Sequence, residues 1–101
     1  LLFENQRGSF LYLKTDGDGN IDGYFSSAVG PEHVTEHKHK ITGTYNGRAF
    51  TFFFNSIAGS VITNIGYYQS EEQLETIFIR AGSEEKWNSQ NIGQDFYSLV
   101  K

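Results

Sequence analysis

The stretch TDGDGNIDGYF, Thr15 to Phe25, decides how this chain is read. Acids alternate with glycines, and an isoleucine sits where a helix–loop–helix calcium site keeps its hydrophobic residue. Aligned to such a loop, Asp16, Asp18, Gly19, Ile21 and Asp22 take positions three, five, six, eight and nine. Position one then falls on Lys14, a cation where the first ligand belongs. Position twelve falls on Phe25, where a bidentate glutamate is needed. Both ends of the motif fail, and the flanks are not helical. Gly8 to Thr15 (GSFLYLKT) places Ser9, Leu11 and Leu13 on one face and Phe10 and Tyr12 on the other. Asn20 to Ser27 (NIDGYFSS) places Ile21, Gly23, Phe25 and Ser27 on one face. The stretch is therefore expected to be a hairpin turn with its acids in solvent, delivering Phe25 and Ser27 to the protein interior.

The same alternation extends in both directions. A short strand is expected at Leu2 to Asn5 and another at His39 to Tyr45 (HKITGTY). Asn46-Gly47 is the strongest short hairpin signal in the chain. Arg48 to Asn55 (RAFTFFFN) sends Phe50, Phe52 and Phe54 to one side. Gly59 to Gln69 and Leu74 to Ala81 form a hairpin across SEEQ, and Ile92 to Lys101 is the last strand. Ala28 to Lys40 is the longest loop, and SEEKWNS, Ser83 to Ser89, has polar helical-turn character. Eight strands mostly joined by short turns predict an all-β sandwich or barrel. Up-and-down closure of eight antiparallel strands removes exposed edges and leaves room for one small ligand.

Composition agrees. The 101 residues suffice for one domain, taken as residues 1–101, with one core. Aromatics reach 16%, with nine Phe and six Tyr, and these residues favour strands. A net charge of −4 argues against nucleic-acid binding, which calls for a basic stripe. No apolar run is long enough to span a bilayer as a helix. The absence of Cys excludes disulfides, thiolate metal sites and thiol nucleophiles. No nucleophile elbow, supported Ser/His/Asp set or phosphate loop is present, so the chain is not read as an enzyme.

Several strands are apolar on both faces. With Leu11, Leu13, Phe25, Phe50, Phe52 and Phe54 inward, Phe10, Tyr12, Tyr24, Phe53, Val61, Ile65, Tyr67 and Phe78 are expected outward. A monomer rarely exposes so large a patch. A subunit interface, and so a homo-oligomer, is the expectation.

NQRGSFLYLKTDGDGNIDGYFSSAVG resembles the second and third strands of the avidin/streptavidin family: Asn-x-x-Gly-Ser, a turn, then Gly-x-aromatic-x-Ser-Ala-Val-Gly. ITGTY, Ile41 to Tyr45, resembles the family's fourth-strand element. IFIRAGSEEKWNSQNIGQDFYSLVK resembles its closing segment, with a lone Trp and then Ile-Gly-x-Asp-x-Tyr. The matches lie in order and cover nearly the whole chain.

The resemblance implies an eight-stranded up-and-down β-barrel that binds biotin at one open end, as a ligand rather than a cofactor, and assembles into dimers or tetramers. It also implies secretion or a periplasmic location. On this likeness Asn5 and Ser9 bind the ureido oxygen of biotin, Ser27 and Asp95 the ureido nitrogens, and Ser60 lies near the valerate carboxylate. Trp87 matches the tryptophan lent to a neighbouring subunit. A buried cyclic urea needs donors at its oxygen and acceptors at both N–H groups, and an unpaired group costs roughly 1–3 kcal/mol.

Departures from the family pattern are equally specific. Its ureido-binding Tyr falls on Phe25 and its sulfur-binding Thr on Ile62; three pocket tryptophans fall on Phe54, Asn64 and Ile77. These changes imply weaker biotin binding or a pocket reshaped for another ligand. Short loops at Ser56 to Gly59 and Gly82 to Trp87 would open the mouth. The second reading, of a different class, is a degenerate barrel kept for oligomerisation or structure; a calcium-binding module is the third. Ser9 and Ser27 could equally be ordinary strand serines and Asn5 a turn residue, whereas an inward Asp95 needs a partner. His33, His37 and His39 read as a solvated polar loop rather than a metal site.

Overall fold

The structure is a computed structural model that describes residues 1–27, 38–56, 59–82 and 90–101. Its regular elements are eight strands: β1 (Leu2–Asn5), β2 (Phe10–Thr15), β3 (Asn20–Ser26), β4 (His39–Asn46), β5 (Ala49–Asn55), β6 (Ser60–Ser70), β7 (Gln73–Gly82) and β8 (Gln90–Leu99). Each pairs antiparallel with the next, and β1 pairs with β8 to close the barrel. The eight strands are those expected from the alternation, with ends moved by a residue or two, and their closure into an up-and-down barrel is the architecture that the family resemblance implied.

Closure fixes every register. Leu13 lies opposite Gly23, and Phe25 opposite both Leu11 and His39. Phe54 lies opposite Ile62, and Asn5 opposite Tyr97. Because side chains alternate, these pairings put whole residue sets inside together. Gly23 shows how tightly β2 and β3 approach: its φ is +145°, and a Cβ there would sit 1.8 Å from the Tyr12 carbonyl oxygen.

The Thr15–Asn20 turn consumes its own acid. Asp16 Oδ1 accepts from the backbone N–H of Asp18 at 2.8 Å and of Asn20 at 3.0 Å, and Oδ2 accepts from Asn20 Nδ2 at 2.9 Å. These donors, the Asn20 side chain foremost, lower the Asp16 pKa below the usual carboxylate value. The Tyr45 hydroxyl donates to the Asp16 carbonyl, tying the turn to β4.

Ten residues form the core: Phe3, Leu11, Leu13, Ile21, Ile41, Phe50, Phe52, Phe54, Leu74 and Tyr97. All come from inward positions on their strands. Phe50 packs edge-on against Tyr68, with ring centroids 5.3 Å apart.

Two expectations fail. On β7 the inward set is Leu74, Thr76, Phe78 and Arg80, so Phe78 points in, while Ile77 is 49% exposed. Placing Ile77 in the pocket and Phe78 outside is a one-residue error in register, which turns every side chain over. His39 is not solvated either. It is buried as the first residue of β4, its Nδ1 3.1 Å from the Asn55 carbonyl and its ring stacked on Phe54 at 5.5 Å. The other outward assignments hold: Phe10, Tyr12, Tyr24, Phe53, Val61, Ile65 and Tyr67 are all exposed.

Candidate functional site

The Asn5–Ser9 turn shapes one end of the barrel. Asn5 Oδ1 accepts from the backbone N–H of Arg7 at 3.0 Å and of Ser9 at 2.9 Å. Gly8, at φ +83°, lets the chain reverse in so few residues. With its oxygen committed, Asn5 has Nδ2 left to offer, a donor.

Between this turn and the ends of β3, β5 and β7 lies a cavity of about 260 Å³. One wall is polar: Asn5 and Ser9 at the β1–β2 turn, Ser27 just past β3, and Asp95 on β8. The rest of the lining is Phe25, Phe54, Ile62, Asn64 and Phe78, with Arg7 and Tyr97. Phe25 and Phe54 stack with centroids 4.8 Å apart. Phe78 reaches the cavity because its partner across the ladder is Gly93, where a Cβ would lie 2.3 Å from the Phe78 ring.

Asp95 is only 4% exposed. Burial raises its pKa above the usual carboxylate value, against an opposing pull from Arg7 and then Gln6. Arg7 Nη2 lies 3.1 Å from Asp95 Oδ1, and Gln6 Nε2 donates to the same oxygen at 3.2 Å. Gln6 is itself held by β8: Nε2 donates to the Gln94 carbonyl at 2.9 Å, and Oε1 accepts from Phe96 N–H at 2.8 Å.

Tyr97 lies beside Asp95, two residues on along the same face. Burial first, then the Asp95 charge, raises its pKa; the neighbouring Asn5 amide and Arg7 pull the other way. Its hydroxyl nevertheless falls short of a hydrogen bond to Asn5 or to any other described group. The Thr76 hydroxyl, opposite Asp95 on β7, is likewise buried and unpaired among the described residues. Tyr97 lines the cavity, and Thr76 lies opposite Asp95, so one unmade hydrogen bond is at the cavity itself and one is beside it. Two or three converging polar groups in an apolar cleft are what fix a small ligand's orientation.

The structure brings together Asn5, Ser9, Phe25, Ser27, Phe54, Ile62, Asn64 and Asp95 of the sites expected from sequence. Ser60 does not line the cavity: it is buried at the start of β6, its Oγ 2.6 Å from Ser56 Oγ, and accepts from Arg80 Nε at 3.2 Å. Ile77 faces outward. Trp87, like His33 and His37, lies outside the described residues, as do most of the two mouth loops. Sequence reasoning missed Arg7, Phe78 and Tyr97. Tyr97 was findable, since it shares a face with Asp95 at a spacing of two. Among the described residues no cluster of His, Asp and Glu could hold a metal ion.

Comparison with known proteins places this geometry. The avidin family model matches residues 2–100. Among solved structures, the rhizavidin–biotin complex is 23% identical, with a TM-score of 0.85 over 99% of this chain and 90% of that one. The bradavidin2–biotin complex is 20% identical, with a TM-score of 0.84 over 99% and 95%. Apo shwanavidin is 20% identical, with a TM-score of 0.83 over 99% and 93%. At such identities the likeness is one of fold. No curated protein sequence matches the chain.

Proposed function

The chain belongs to the avidin family, and we propose that it binds biotin non-covalently in the 260 Å³ cavity, without catalysing a reaction. The observation that carries this reading is the polar wall: Asn5, Ser9, Ser27 and Asp95 converge on one cavity from three separate segments. A cyclic urea presents one carbonyl oxygen and two N–H groups. Asn5 Nδ2 and the Ser9 hydroxyl supply donors, while the Ser27 hydroxyl and the Asp95 carboxylate supply acceptors. Phe25, Phe54 and Phe78 offer apolar ring surface to the hydrocarbon part of the bicycle. The volume lies just below the roughly 300–1,000 Å³ usual for small-molecule pockets, which suits a compact fused-ring head.

Binding is weaker than in a relative bearing a tyrosine at the Phe25 position. With Asn5 and Ser9 still donating to the ureido oxygen, the one missing donor costs about 0.5–1.5 kcal/mol, or roughly two- to tenfold in affinity. The test is retention on biotin-agarose with elution by free biotin. Wild type is retained, and Asn5→Ala/Asp95→Ala, still folded by circular dichroism, flows through. Equal retention of both proteins would refute the assignment.

The same barrel is proposed to assemble with itself through the outward face of β6, β7 and β8. Ile65 lies opposite Ile77, and Ile79 opposite both Thr63 and Ile92. Ile65 and Ile92 are 63% and 73% exposed, a continuous apolar surface of the kind that marks an interface. Light scattering should give a dimer or tetramer for wild type and a smaller species for Ile79→Lys. A monomeric wild type would contradict the assembly.

A further inference from the structure

Arg7 is a charged residue at the rim of the cavity, and its position is built rather than incidental. Asn5 Oδ1 fixes its backbone at 3.0 Å. Its side chain, 41% exposed, crosses to β8 and places Nη2 3.1 Å from Asp95 Oδ1 and 3.4 Å from the Gln94 carbonyl. The guanidinium carbon stands 5.0 Å over the Phe78 ring, a cation–π stack that Gly93 makes possible by leaving room for the ring. Gln6 reaches the same carboxylate oxygen from the same turn. Among the described residues both donors therefore converge on Oδ1, and Oδ2 is the oxygen open to a ligand.

We propose that Arg7 is a specificity-determining residue of the pocket: with Gln6 it clamps one oxygen of Asp95 and keeps the carboxylate a charged, acceptor-only group, so that the site selects a ligand donating an N–H to Oδ2. This rests on the reading of the cavity as a biotin site and adds to it a residue of this chain's own turn. A protonated Asp95 could also donate, and would tolerate a ligand acceptor at the same place. The groups facing Asp95 are Arg7 and Gln6 from the β1–β2 turn, Thr76 from β7, and Tyr97 and Asn5 on the cavity floor. Arg7 is the cation among them. Burial works against the charge of Asp95, and Arg7 is the larger of the two influences that oppose it.

The experiment compares wild type, Arg7→Gln and Arg7→Lys. The Asp95 carboxyl is titrated by NMR in the free protein, and biotin affinity is followed by calorimetry from about pH 4 to about pH 8, a range that starts near the ordinary carboxylate pKa and extends well above it. Arg7→Gln is expected to move the Asp95 midpoint to higher pH and to weaken biotin several-fold more at the acid end than at the basic end. Arg7→Lys keeps the charge without the fork and restores much of the midpoint. An unchanged Asp95 midpoint in Arg7→Gln overturns the proposal, whatever biotin does. A shifted midpoint in a protein that binds no biotin at any pH upholds the clamp and refutes the biotin reading instead.

Discussion

The two ends of the barrel use the same strands and the same alternation, yet one has an interior packed with apolar side chains and the other a hollow with a polar wall. Along β2 the inward residues run Leu13, Leu11, Ser9; along β8 they run Leu99, Tyr97, Asp95. β3 passes from Ile21 through Gly23 and Phe25 to Ser27. At the end capped by the Thr15–Asn20 and Asn46–Ala49 turns, large apolar side chains pack the interior, with Phe50 against Phe52 and Tyr68, beneath an open pocket of about 660 Å³ lined in part by Leu1, Arg48, Tyr68 and Leu99. At the end bounded by the Asn5–Ser9 turn, small and polar residues leave a cavity. Side-chain size and polarity, rather than any change in backbone plan, separate core from site. Stability and binding can then be altered apart from one another.

Four substitutions or conditions would break or sharpen this contrast. Phe52→Ala removes a fully buried ring from the packed half. It should cost about 3–5 kcal/mol in denaturant unfolding, the usual range for a buried aromatic truncated to Ala. A small loss would mean that the core does not lie there. Asp95→Asn, in the hollow half, should weaken biotin by about 1.5–3 kcal/mol, or roughly ten- to a hundredfold, by removing a charged hydrogen-bond acceptor.

The same substitution should raise the melting temperature of the free protein at neutral pH. Burial holds the folded pKa of Asp95 above its ordinary 3.8. The folded state therefore binds more protons than the unfolded chain across that window, and stability falls as pH rises through it. Asparagine escapes that loss, so the difference in melting temperature should vanish below the ordinary carboxylate pKa. A variant less stable than wild type at neutral pH would contradict the burial argument. The smallest effect is expected from Phe25→Tyr. It adds a hydroxyl donor at a half-buried ring and should tighten biotin by about 0.5–1.5 kcal/mol, at most roughly tenfold. No gain would show that the ring does not face the ureido oxygen.

The fold was legible because turn chemistry and period-two patterning agree along the chain. The failed calcium loop, the Asn-Gly turn and the Phe50, Phe52, Phe54 series each point to antiparallel strands. The inward direction of Ser9 and Ser27 was legible for the same reason, since they sit at even spacing from buried core residues, whereas their grouping with Asn5 and Asp95 came from the family resemblance. β7 was not legible. Ile77, Phe78 and Ile79 are consecutive and apolar, so alternation cannot say which face is buried. Strand pairing settles it: Phe78 lies opposite the buried Asn64 on β6 and opposite Gly93 on β8. Arg7 was hidden for another reason. A cation in a tight turn ordinarily stays in solvent, and its partner Asp95 is brought near by closure of β1 on β8. His39 was concealed by its polar neighbours, although it sits at the start of a strand and packs on Phe54.

The central claim is that the hollow end of this barrel is a biotin site whose polar wall carries the binding. Isothermal calorimetry of the wild-type protein against biotin addresses it most directly. The account predicts saturable heat at one biotin per chain, lost in Asn5→Ala/Asp95→Ala. The absence of heat from wild type at high protein concentration would contradict it, and would leave the fold without that ligand.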